Sequence, residues 1–156
     1  MDFIKELINK SGTYQGSGIN HEADEFIGTF QLTPLLSNTV FEIKFHAASK
    51  DGLVFHDEVS MLAKDDQGDW VLFNNNSNSQ CCMVHRLESS DKIENKMTLS
   101  FMYGQFDNKD SFRERVCLDL YDSDQVAYHY YWGVPGGAFQ YRSGLVMKSK
   151  DNNKSA

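Results

Sequence analysis

The chain has 156 residues, of which 40% are hydrophobic and 24% are charged, and its formal net charge is −7. This length is sufficient for one domain with its own core. The acidic balance, without a cluster of basic residues, argues against a nucleic-acid partner and against docking on an anionic membrane. No stretch is apolar for long enough to predict a transmembrane helix.

Three cysteines, Cys81, Cys82 and Cys117, are present. The first two are adjacent, and a bridge between neighbouring strand residues would be strained because their side chains point to opposite faces. No spacing typical of a metal site occurs, so we expect no bound metal. The N-terminal segment has charges within its apolar pattern and lacks the long apolar core of a signal peptide. These features predict reduced thiols in a cytoplasmic protein.

The first residues predict a short helix within 1–11. Asp2 can act as its N-cap, and Ser11 and Gly12 mark its end. Its apolar residues recur at helical spacing, at Phe3, Ile4, Leu7 and Ile8. A helix this short is not stable alone, so we expect it to pack over the end of another element.

From Thr13 the apolar period changes to two, and ten strand candidates follow, each bounded by turn residues. They span 13–19, 26–32, 40–48, 53–63, 70–74, 80–87, 97–103, 111–121, 126–132 and 139–147. The connections are too short for crossover helices, so neighbours should pair antiparallel. An all-β, up-and-down barrel over 12–148 avoids exposed edges, with a two-sheet sandwich as the alternative and a flexible tail at 149–156.

Alternation within each strand predicts the faces. In 53–63 it places Asp57 on the apolar face, with His56 and Glu58 opposite as a solvated pair. Polar side chains on apolar faces are the informative ones, since a buried polar group needs a partner or a ligand. The predicted ligand-binding lining is Phe45, Phe55, Asp57, His85, Phe101, Tyr103, Glu114, Tyr128, Tyr130 and Tyr141.

The segment GTYQGSG at 12–18, placed between an apolar helix and a long meander, resembles the start of the calycin group of lipocalins and fatty-acid-binding proteins. Those barrels begin with a Gly-x-Trp motif, and Tyr14 stands where Trp is usual. Within the group the chain is most similar in look to haem-binding barrels of the nitrobindin type and their bacterial relatives. The run Phe55–Glu58 looks like a His-x-Glu stretch of that family.

The resemblance also raises haem as a cofactor, because nitrobindin-type barrels supply an axial His from the last strand. This chain has no His after His129, and Tyr141 lies near the equivalent place. A tyrosinate can ligate haem iron. The missing His sets the sequence apart from the family pattern, and the cofactor stays open at this point.

Three functions are compatible with these features of the sequence. The first is a barrel that binds a small hydrophobic or planar molecule between aromatic side chains. The second is an enzyme that uses the same cavity, with Glu114 or Asp57 as acid and base and His85 as partner. The third is an interaction scaffold with no ligand, for instance a homodimer. We favour the first, with no nucleic-acid or membrane partner, and expect no catalytic residues.

Overall fold

The computed structural model describes residues 2–151 and forms a closed barrel of ten antiparallel strands preceded by one helix. The helix α1 spans Phe3–Asn9. The strands are β1 (Gly12–Ile19), β2 (Glu25–Leu35), β3 (Val40–Ala48), β4 (Val54–Lys64), β5 (Trp70–Asn76), β6 (Met83–Ile93), β7 (Lys96–Tyr103), β8 (Arg113–Tyr121), β9 (Gln125–Gly133) and β10 (Gln140–Ser149). The predicted all-β up-and-down barrel is therefore confirmed.

Each strand pairs with the next, and β10 closes the barrel on β1. The closure requires close backbone approach, since a Cβ built at Gly16 would lie 2.4 Å from the carbonyl oxygen of Val146. A glycine at this position permits the two strands to meet. Within the predicted tail, Ser149 still belongs to β10 and the Lys150 N–H donates to the carbonyl oxygen of Thr13. Residues 152–156 lie outside the described part of the chain.

The strand bounds differ most from the predicted ones at β6 and β7. The sequence predicts a loop over residues 89–95, whereas β6 continues to Ile93 and turns within two residues into β7. Glu94 adopts a positive φ of 53° in this turn. Backbone pairing with β7 holds this polar part of β6 in the sheet, so hydrophobic alternation did not reveal it.

Helix α1 closes one end of the barrel. Leu7 is fully buried there, and the Phe3 ring packs edge-on against Trp70 with their centroids 5.5 Å apart. The Tyr14 hydroxyl donates to the carbonyl oxygen of Lys10 over 3.0 Å, which ties the end of the helix to β1. Within the described residues, no helix combines the length and the apolar character that crossing a membrane requires.

Candidate functional site

A cavity of about 750 Å³ opens at the barrel end opposite α1. It is walled by the ends of the strands and by residues of four of the loops that connect them. Seven aromatic side chains contribute to the wall, namely Phe26, Phe45, Phe55, Tyr103, Phe112, Tyr130 and Trp132. Its volume is in the range, on the order of 300–1,000 Å³, that small-molecule sites occupy.

The β1–β2 loop forms one side of the mouth. Asn20 Oδ1 accepts the backbone N–H groups of Glu22 at 3.0 Å and Asp24 at 2.9 Å, which is a turn that Asn favours. The turn brings the His21 ring edge-on against Trp132, with a centroid separation of 5.4 Å. One asparagine thus holds a loop and a histidine over the cavity.

The β5–β6 loop forms another side and sets the tautomer of His56. Asn76 Oδ1 accepts the backbone N–H of Asn78 over 2.9 Å. The Asn78 amide nitrogen donates to the carbonyl oxygen of Phe55 at 3.1 Å and lies 3.0 Å from His56 Nδ1. Because that nitrogen is a donor, His56 Nδ1 accepts, and the ring proton sits on Nε2.

Beneath the cavity lies a buried carboxylate, that of Glu58, which has no exposed side-chain surface. Oε1 accepts hydrogen bonds from the hydroxyls of Ser60 and Tyr128, both at 2.7 Å. Oε2 accepts from His56 Nε2 at 3.0 Å and from the Tyr130 hydroxyl. We call these residues the Glu58 cluster: His56, Glu58, Ser60, Tyr128 and Tyr130.

Hydrogen bonds decide the ionisation of the Glu58 cluster. Burial alone would raise the pKa of Glu58, but the donors around it hold that pKa below its usual value. The phenols of Tyr128 and Tyr130 have pKa values well above the usual range, because burial and the nearby Glu58 charge disfavour their anions. The cluster therefore contains one carboxylate and two neutral phenols.

A second buried pair lies across the barrel. His85 is fully buried, and its Nε2 lies 2.9 Å from Oε1 of Glu114. Glu114 lines the cavity, whereas His85 lies behind it against the Tyr103 ring. Within residues 2–151 the other ring nitrogen of His85, Nδ1, has no hydrogen-bond partner. Only the carboxylate of this pair can therefore touch a ligand.

The ten residues predicted from the sequence fall into three groups. Five line the cavity: Phe45, Phe55, Tyr103, Glu114 and Tyr130. Three point into the barrel but are buried below or behind the cavity: His85, Phe101 and Tyr128. The remaining two, Asp57 and Tyr141, lie on the outer surface. Their roles in binding stay predictions, but the last two need a corrected position.

Asp57 was predicted on the inner face of β4, and this assignment is wrong. Asp57 pairs with His46 across the sheet, and their side chains meet outside the barrel, with Oδ1 3.4 Å from Nδ1. The inner face of β4 carries His56 and Glu58, the pair expected in solvent. A register shift opposite Ala47 then lets Phe55 reach the cavity as well.

Tyr141 was predicted on the inner face of β10 and also points outward. A bulge between Tyr141 and Ser143 reverses the faces of the strand, so that Ser143 lines the cavity. Outside, the Tyr141 ring contacts Tyr131 at a centroid distance of 5.1 Å. The residue that β10 contributes to the cavity wall is Ser143, which is not a haem ligand, so these residues do not fit a haem held in the cavity from that strand.

Several wall residues were missed by sequence reasoning. They come from the loops and strand ends, where alternation carries no information: Asn20, His21, Glu22, Asn76, Asn78, Ser79, Gln80, Trp132 and Val134. A usable signal existed in two places. Asn20 precedes a polar turn, and Trp132 shares the inner face of β9 with Tyr130.

The three cysteines are all unpaired, with Cys81 and Cys82 exposed and Cys117 buried. Burial raises the pKa of the Cys117 thiol. We expect a dithiobis-nitrobenzoate reagent to modify two thiols per chain quickly and the third roughly tenfold or more slowly. The released chromophore measures the rates, and Cys117→Ser should remove the slow phase only. Three equal rates would contradict the burial of Cys117.

No protein-family model and no curated protein matches the chain. Among solved structures, the crystal structure of Rv2717c from M. tuberculosis matches with a TM-score of 0.74 and 12% identity, over 96% of this chain and 98% of that chain. EF1p2_mFAP2b bound to DFHBI matches with a TM-score of 0.49 and 12% identity, over 94% of this chain and 99% of that chain. The redesigned β-barrel mFAP1 bound to DFHBI matches with a TM-score of 0.45 and 13% identity, over 95% of this chain and 99% of that chain. The match to Rv2717c is one of fold, and the closed ten-stranded barrel fits a calycin-like barrel.

Proposed function

We propose that this chain is a binding protein that holds a small hydrophobic or planar molecule in the cavity at the open end of its barrel. The observation that carries the proposal is the cavity of about 750 Å³ with seven aromatic side chains in its wall. Apolar walls supply the burial of a ligand, and a few convergent polar groups orient it. Here the polar groups free to do so are the Glu114 carboxylate and the hydroxyl oxygen of Tyr130.

The floor of the cavity is organised before any ligand arrives. Tyr130 and His56 are both held by Glu58, and His56 is held from its other nitrogen by Asn78. Side chains that are already fixed lose little entropy on binding, which favours affinity.

An enzyme is the second candidate, and the contact between His85 and Glu114 at 2.9 Å favours it. Glu114 would transfer the proton, because His85 does not reach the cavity wall. This function would appear as a time-dependent chemical change in a bound molecule, followed by its NMR spectrum, that Glu114→Gln abolishes. The cavity serves both candidates, and binding is the simpler one.

We also propose a cytoplasmic location. Cys81 and Cys82 are exposed and unpaired. Exposed thiols persist where glutathione and thioredoxin keep them reduced, whereas an oxidising compartment favours disulfides.

The test of binding uses Nile red, an uncharged planar dye, with the intact protein. We expect saturable fluorescence enhancement at one site per chain. Ala47→Trp should raise the Kd by about tenfold or more, which is about 1.4 kcal/mol. Ala47 is buried on the cavity wall, so an indole there occupies space that the dye needs.

The control is Val59→Trp, which adds the same indole on the outer surface of β4, where Val59 is 45% exposed. It should leave the Kd unchanged. A native mass spectrum beside a denatured one adds an independent readout, because a stoichiometric mass lost on denaturation reports a molecule bound in the cell. A Kd for Nile red that Ala47→Trp leaves unchanged would overturn the proposal, and so would the absence of saturable binding.

A further inference from the structure

The cavity wall carries acidic side chains without basic ones. Its charged residues are Glu22 at the mouth and Glu114 further in, and the lining within residues 2–151 includes no Lys or Arg. The two imidazoles of the wall are those of His21 and His56. A ligand with a carboxylate or phosphate would therefore meet no fixed positive partner inside.

Glu114 keeps a free position for a ligand. One oxygen, Oε1, contacts His85 Nε2, and no hydrogen bond from another described residue engages Oε2. The His85 imidazole donates from Nε2 to Oε1, and its Nδ1 has no hydrogen-bond partner among the described residues. The second oxygen of Glu114 is therefore available to a ligand.

A second negative charge lies beneath the floor. Glu58 is ionised behind Tyr130 and His56, and His56 is already committed at both ring nitrogens. The charges of Glu58 and Glu114 both add to the effect of burial in raising the pKa of the Tyr130 phenol. This end of the barrel therefore holds two carboxylates close to the cavity, Glu58 beneath its floor and Glu114 in its wall.

Two arginines lie near the rim, but neither belongs to the wall. Arg142 packs its guanidinium carbon 3.9 Å from the centroid of Trp132 and donates to that residue's carbonyl oxygen. Arg113 donates to the carbonyl oxygens of Val134 and Gly137. Both guanidinium groups are held by the backbone and are not placed to bind an anion in the cavity.

We propose that the ligand is an organic cation: a flat hydrophobic amine whose ammonium group lies against Glu114 while its apolar body packs between aromatic rings. Aromatic faces attract cations, and a partly desolvated carboxylate pairs with an ammonium group by a charge-assisted hydrogen bond. Phe45, Phe112 and Tyr103 supply rings on the same wall. This inference rests on the proposed binding function and specifies its ligand class.

The test compares three probes of one size at neutral pH: naphthylmethylamine, naphthylmethanol and naphthoic acid, substituted at the same ring carbon. The first is a cation, the second is neutral and the third is an anion. Isothermal titration with the intact protein should show the amine binding about tenfold more tightly than the alcohol, and the acid more weakly than both.

The variant Glu114→Gln keeps the shape of the side chain and an acceptor for His85. It should weaken binding of the amine about tenfold and leave the alcohol within about twofold, so the alcohol also reports that the variant is folded. Asp57→Asn removes an acidic charge from the outer surface and should change neither affinity.

The outcomes separate the two levels of inference. If the alcohol and the acid bind as tightly as the amine, the cation preference is overturned and the binding function stands. Equal loss of amine and alcohol affinity in Glu114→Gln would likewise overturn the role of the carboxylate charge. If none of the three probes binds saturably, the cation proposal fails together with the binding function on which it rests.

Discussion

Replacing Glu58 by Gln is expected to lower the free energy of unfolding by about 3 kcal/mol, because buried donors lose a charged acceptor. Four side chains donate to this carboxylate, two at each oxygen. A glutamine offers one acceptor oxygen, and its NH₂ group faces donors that cannot accept it without rearranging. In a chain of this length the loss corresponds to a decrease in Tm of about 6–12 °C.

Asp57→Asn is the matched control for this measurement. It makes the same acid-to-amide change one residue earlier on β4, where the side chain is exposed. A surface change of this kind should alter the free energy of unfolding by no more than about 0.5 kcal/mol. Equal effects of the two substitutions, measured by chemical denaturation, would show that the Glu58 cluster does not hold its carboxylate as described.

Glu58→Gln also isolates the part of the pH dependence of stability that comes from the Glu58 carboxylate. Because the folded pKa of Glu58 is below its unfolded value, the carboxylate contributes stability that is fully present above the unfolded pKa, about 4.3. That contribution is lost as the pH falls through the lowered folded pKa. Wild-type protein should therefore lose more stability than Glu58→Gln between neutral pH and the acid range, so the difference between them shrinks in acid.

The barrel could be predicted because most strands bury one consistent face. In β3, Phe41, Ile43 and Phe45 alternate with polar residues, and they are buried as expected. Short connections with turn residues then leave antiparallel neighbours as the simple solution. This reasoning uses only the local period and loop length, both of which are visible in one sequence.

The inner face of β4 could not be predicted in the same way. Val59 and Met61 are apolar and point outward, while Glu58 and Ser60 point inward. Alternation predicts that the apolar side chains face the interior. The polar side chains can face it instead only if residues elsewhere in the chain supply their hydrogen bonds. One such residue is Tyr128, 70 residues away along the chain. Its proximity follows from barrel closure and not from any local pattern.

The open cavity also depends on side-chain size in a way that the predicted lining missed. On β3 the inner face changes from Phe45 to Ala47 toward the mouth, and on β10 it changes from Leu145 to Ser143. Small inward-facing residues near the mouth leave the interior open there, whereas large inward-facing residues fill the interior near α1. A bulge hid this change on β10, since a one-residue insertion reverses the faces beyond it.

Replacing Leu7 by Ala is expected to lower the free energy of unfolding by about 3 kcal/mol, the cost of removing a buried leucine side chain and leaving a cavity. Leu7 is fully buried where α1 closes the barrel. The helix has seven residues, which is too few for stability of its own, so its docking depends on such contacts. Lys5→Ala, on the exposed side of α1, should change stability by no more than about 0.5 kcal/mol.

The two ends of the barrel should respond separately to substitution. Leu7→Ala weakens the closed end, yet the dye site lies at the other end, so the Kd for Nile red should stay within about twofold of wild type where the variant is folded. Ala47→Trp should do the opposite, because it fills the cavity and leaves α1 in contact with its neighbours. A loss of dye affinity in Leu7→Ala as large as that in Ala47→Trp would contradict this division. It would mean that helix docking and the shape of the cavity are coupled.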